Sequence, residues 1–164
     1  MQVSQEEKYS WCEVPETVKN LLALATQHWE NTAEAENYIN QALAQAEDHP
    51  DVLIAAYRFF FYKNKPTQAL AIAEKVISNI KKSENLPDDW ETLKIILVSR
   101  KDDPQIRLYL NAYAASGFVL AKLGQLEKAK EVTGRVKEID ERREFGGGST
   151  VFDVLTKPAE DEDD

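Results

Sequence analysis

Apolar side chains recur along this chain at three- and four-residue spacing, the period of helices with one buried face. Val18, Leu21, Leu22, Leu24 and Ala25 begin the pattern, which runs on to Trp29. Pro15-Glu16 reads as its first turn, where the missing proline N–H costs nothing. Thr32 caps a second helix whose apolar face is Ala35, Tyr38, Ile39, Ala42, Leu43 and Ala46, and His49-Pro50 closes it. Asp51 caps a third with Leu53, Ile54, Ala56, Tyr57 and the run Phe59-Phe60-Phe61-Tyr62. After the turn Lys63-Asn64-Lys65, Pro66 or Thr67 opens a fourth, striped by Ala69, Leu70, Ala73, Val76, Ile77 and Ile80.

Ser83 to Pro87 interrupts the pattern, and Asp88 or Asp89 caps a shorter helix with Trp90, Leu93, Ile96 and Leu97 in phase. Asp102-Asp103-Pro104 joins an acidic cap to a first-position proline, a strong helix start. The helix that follows, Ile106 to Leu123, is rich in small residues. Gly124-Gln125 turns into a last helix, about Leu126 to Arg143, whose stripe is Leu126, Ala129, Val132, Val136 and Ile139. The reading is all-α, about seven helices, with connections short enough to make neighbours antiparallel.

Helix pairs of this length call for a search for internal periods. A shift of 34 residues places Ala35 on Ala69, Ile39 on Ala73, Ala42 on Val76 and Leu22 on Ala56. A shift of 60 places Ala69 on Ala129, Phe60 on Leu120 and Tyr57 on Gly117. A small residue early in a second helix lets it lie close against the first, and Ala23 or Gly117 in mid-helix admits a neighbour's bulk. The run Tyr113, Gly117, Leu120, Gly124, Ala129 resembles the pattern of the tetratricopeptide repeat family. Residues 16–49 match it moderately; 50–83 match poorly, because Tyr57 stands where the pattern has a small residue.

The resemblance implies antiparallel pairs stacked as a right-handed superhelical array over residues 15–144, after an N-terminal extension of 1–14. Residues 84–109 are an insertion that departs from the pattern. The family's concave surface accepts a peptide or helix. Its inward-facing spacing falls here on Asn20, Leu24, Gln27 and His28, then Ile54, Arg58, Phe61 and Tyr62, then Asn111, Ala114, Phe118 and Lys122. The carboxylate clamp of some family members is absent: Asn20, Leu24, Ala55, Asn111 and Ala115 occupy its slots.

Charge and chemistry narrow the function further. Of 164 residues, 29 are acidic and 20 basic, a net charge of −9 that repels phosphate backbones, so a nucleic-acid partner is not expected. No apolar run is long enough for a membrane span, and Cys12 is the lone cysteine, which fits a reducing cytoplasm. Two histidines, His28 and His49, and no Cys-x-x-Cys leave no zinc site. Gly146-Gly147-Gly148 lacks the strand and helix of a phosphate loop, and no nucleophile elbow is present. The expectation is a non-enzyme without cofactor or metal.

From Phe145 the chain holds six acidic residues and one lysine, the composition of a disordered linker and acidic tail over 145–164. Within it Val151, Phe152, Val154 and Leu155 form an apolar motif that could dock in the protein's own groove or on a partner. The expected function is an adaptor or scaffold, monomeric or weakly dimeric, that holds a protein or peptide partner. The alternative is a dedicated chaperone or assembly factor, either like those of type III secretion or an accessory in enzyme maturation.

Overall fold

The computed structural model describes residues 14–140, 142, 144, 145 and 148–156; Trp11, Cys12 and the acidic end 157–164 lie outside them. Among the described residues all regular structure is helical: α1 (Glu16–Gln27), α2 (Thr32–Ala46), α3 (Pro50–Tyr62), α4 (Pro66–Ser83), α5 (Trp90–Ser99), α6 (Pro104–Lys122), α7 (Leu126–Ile139) and α8 (Gly148–Thr156). The seven helices of the sequence pattern are present, and α8 is an eighth. None is long and apolar enough to cross a membrane. The chain divides into two compact units, Met1–Ile72 and Ala73–Asp164, with the division inside α4.

In the first unit α1 packs on α2 and α2 on α3. Val14, Val18, Ala42 and Val52 form a buried cluster, flanked by Leu21, Leu22, Leu43 and Ala46. Two caps fall one or two residues earlier than the sequence reading puts them. Asn31, not Thr32, caps α2 by accepting the Glu34 N–H at 3.2 Å. Pro50 takes the first position of α3, so the cap falls to His49, whose Nδ1 accepts the Asp51 N–H at 3.1 Å.

In the second unit α6 packs on α7, α7 on α8, and α5 and α6 reach α7 and α8 respectively. The α6–α7 crossing is close because Gly117 has no side chain. A Cβ there would stand 2.7 Å from Thr133 Cγ2 and 3.0 Å from Val132 Cγ1. Asp89 and Asp103 cap α5 and α6 through the N–H groups of Thr92 and Gln105.

Turns after α3, α4 and α6 all end their helices on a left-handed residue (Asn64, Asn85 and Gly124), and those after α3 and α6 correspond bond for bond into the next helix. After α3, Asn64 takes a left-handed φ of 57° and the Lys65 N–H bonds the Phe60 carbonyl at 2.8 Å. After α6, Gly124 takes φ 79° and the Gln125 N–H bonds the Leu120 carbonyl at 3.0 Å. The neighbouring bonds also correspond: Asn64 to Phe61 with Gly124 to Ala121, and Ala69 to Lys65 with Ala129 to Gln125. Every partner is displaced by 60 residues. A left-handed residue just past a helix end satisfies its last carbonyls and reverses the chain.

The tail differs from the sequence expectation: residues 148–156 form a helix. In the turn before it, the buried Asp140 carboxylate accepts the N–H groups of Glu144 (2.7 Å) and Phe145 (3.0 Å). This seats Phe145, 1% exposed, under the Arg107 guanidinium.

Candidate partner-binding groove

The first unit carries an open groove of about 820 Å³ between α1 and α3. Each helix contributes a stripe at positions i, i+3, i+4 and i+7, the spacing that brings side chains onto one face. From α1 these are Lys19, Leu22, Ala23 and Thr26; from α3 they are Ala55, Arg58, Phe59 and Tyr62. Ala23 and Ala55 supply the space by being small. Trp29 ends the groove, its ring edge-on to Phe59 with centroids 5.5 Å apart and the Lys63 ammonium 4.9 Å from its centre. Tyr62 is 70% exposed, an unusual position for a large ring. Behind this face Tyr57 stacks on Phe61 at 5.8 Å, and burial pushes its hydroxyl up to about 12.

The charge of the lining is one-sided. Among the described residues its basic side chains are Lys19 and Arg58, and no carboxylate lines it. Neither cation has an ion-pair partner among the described residues.

The residues singled out in the sequence fall in several places. Arg58 and Tyr62 line the groove. Asn20, Leu24 and Gln27 sit one position round α1 from the lining stripe, and Ile54 and Phe61 are half-buried beside that of α3. His28 instead meets the α1–α2 turn, 3.6 Å from Glu34 and with its ring 5.7 Å from Tyr38. In the second unit Asn111 and Lys122 are exposed and Phe118 half-buried, its ring 5.9 Å from the Lys122 ammonium. Ala114 is fully buried and cannot face a groove: the start of α8 lies over it, with the Gly148 Cβ position 3.4 Å from its methyl.

The tail motif packs on α7. Phe152 covers Gly134, where a Cβ would approach its ring to 2.9 Å, and Lys137 lies 5.4 Å from the ring centre while bonding Asp153 at 2.5 Å. Val151 and Leu155 are half-buried and Val154 is 68% exposed. Sequence reasoning missed this seat, although a glycine in mid-helix is a signal for close approach.

The strongest polar cluster elsewhere is structural. Arg100 binds Glu84 and, at 2.5 Å, Asp103, which holds the Asp103 carboxyl below and the Arg100 guanidinium above their ordinary values. In the second unit Tyr109 and Tyr113 stack at 5.9 Å, and Arg135 donates to the Tyr113 hydroxyl at 3.3 Å. Among the described residues no group of three or more His, Cys, Asp or Glu side chains could hold a metal ion.

No known protein family and no solved structure matches the chain. It is similar to an uncharacterized 19.8 kDa protein in the nifW 5′ region of Azotobacter chroococcum mcd 1, with 29% identity over 136 residues, 81% of this chain and 75% of that one.

Proposed function

We propose that this chain is a non-enzymatic interaction module of tetratricopeptide-like helix pairs, which holds a peptide or helix of a protein partner as an adaptor or scaffold. The α1–α3 groove carries the reading. It is open, floored by Leu22 and Phe59, and flanked by the exposed ring of Tyr62, the kind of aromatic anchor that dominates binding energy at interfaces. The repeat-like reading is supported by the turns after α3 and α6, whose hydrogen bonds correspond at a displacement of 60 residues on into the following helix, and by the close α6–α7 approach at Gly117.

A second reading is an accessory or assembly factor for another enzyme. The observation favouring it is the relative encoded in the nifW 5′ region, which places a similar protein beside a nif gene. An accessory factor releases its client, whereas a scaffold keeps its partners.

The test is capture from a lysate of the protein's own source, with the full chain as bait beside Ala55→Trp and Tyr62→Glu variants checked for helicity. Ala55→Trp fills the groove and Tyr62→Glu removes its exposed ring. Partners identified by mass spectrometry on the wild type and lost on both variants support the module. Equal capture by all three refutes the groove. Products of genes flanking nifW among clients that dissociate on maturation would favour the accessory reading.

A further inference from the structure

We propose that the groove selects a partner segment in which acidic side chains flank an apolar or aromatic anchor. The inference rests on the reading of this groove as a binding site and adds the chemistry of what enters it. The chain has 29 acidic residues against 20 basic, yet among the described residues the groove wall is lined by Lys19 and Arg58 and by no carboxylate. Among the described residues neither cation has an ion-pair partner, so a ligand carboxylate would break no ion pair of these residues. Between them the floor is apolar, which rules out a segment made of acids alone.

The placement of the two cations sets a spacing. Arg58 adjoins Phe59, whose ring meets Trp29 just past the end of α1, so Arg58 stands at the Trp29 end. Lys19 lies eight residues before Gln27, the last residue of α1, roughly 12 Å along the axis at 1.5 Å per helical residue. One terminal carboxylate reaches one of these cations; two side-chain carboxylates reach both. Bridging that span takes about eight residues of helix or about four of extended chain. The acidic end of this chain, Glu160-Asp161-Glu162-Asp163-Asp164, has the charge but no anchor for the floor.

Random twelve-residue peptides displayed on phage, selected against the full chain, provide the test. The recovered sequences are synthesised with amidated C-termini and measured by fluorescence anisotropy. The expected peptides carry Asp or Glu on both sides of Leu, Phe or Trp and bind more weakly as salt rises. Lys19→Glu with Arg58→Glu, both reversals on accessible side chains, should weaken them about tenfold or more, since two attractions become repulsions. Ala55→Trp should abolish binding. Peptides that are blocked by Ala55→Trp but show no acidic bias, or ignore the charge reversal, overturn this inference and leave the groove standing. Selection that yields nothing, or only peptides indifferent to Ala55→Trp, overturns the groove itself. Displacement of the selected peptides, at equal potency, by a synthetic peptide of residues 5–13 (Gln5 to Glu13, with Trp11 between acids) would reassign the groove to the chain's own segment and overturn a partner.

Discussion

Moving one methyl group from α7 to α6 tests whether contact at Gly117 sets the spacing of that helix pair. In Gly117→Ala the new Cβ would lie 2.7 Å from Thr133 Cγ2. Thr133 cannot turn away cheaply: it is fully buried, and its hydroxyl donates to the Ala129 carbonyl at 2.7 Å. Overpacking of this kind costs about 1–3 kcal/mol, while replacing a mid-helix glycine by alanine returns about 1 kcal/mol, so the single variant should lose about 1 kcal/mol. Thr133→Ser keeps the hydroxyl bond and deletes the clashing methyl, at a cost of about 1 kcal/mol for a buried methyl and the space it leaves. The double variant returns the methyl from the facing helix. The tight approach to Val132 Cγ1 at 3.0 Å remains, so the double variant should fall within about 1 kcal/mol of wild type, which makes the coupling about 1 kcal/mol. Urea titration followed by circular dichroism at 222 nm reads all four corners of the cycle. Costs that add to within about 0.5 kcal/mol would refute the claim that these two groups meet.

Other perturbations separate further parts of the structure. Gly134→Ala should drive Phe152 off α7 while improving the helix itself; amides of residues 151–156 should exchange with deuterium about tenfold faster, and those of α7 should not. Unchanged protection of α8 would mean that Phe152 is not its anchor. Asn64→Ala and Gly124→Ala should each cost about 1 kcal/mol of unfolding free energy, because both sites need a left-handed φ, whereas Asn64→Gly should cost little. The Asp103 carboxyl is held below its ordinary value by Arg100 and backbone amides, so its contribution is present above that ordinary value and lost as pH falls through and below it. Asp103→Asn keeps the helix cap without the charge. Its urea midpoint should lie below wild type at pH 7, and the gap should close as pH drops below about 4.

The helices were legible because their apolar stripes, prolines and acidic caps all agree, and the turn at Gly124 announced itself by composition. Which edge of a stripe stays open was not legible. In α1, Leu22 and Ala25 read as core, and both also border the groove, because the apolar face is wider than the strip that α2 covers. Family spacing therefore selected Asn20, Leu24 and Gln27, one position round from the lining stripe, and His28, in the turn past its end. Composition misled at the C-terminus: three glycines and the acidic end hid a nine-residue helix. Its signal lay elsewhere in the chain, in Gly134, whose missing side chain makes the seat for Phe152. Ala114 was misplaced for the same reason, since nothing local to it shows that α8 begins above it.

Each unit holds one indole among the described residues: Trp29 against Phe59 and Lys63 in the first, Trp90 against Arg135 and Glu138 in the second. In a Trp11→Phe background, removing either one leaves a protein that emits from a single known place. Trp29 alone would report the groove filling, and Trp90 alone the loosening of the α5–α7 contact. The chain thus carries two built-in optical gauges, which let each unit be followed without an attached dye.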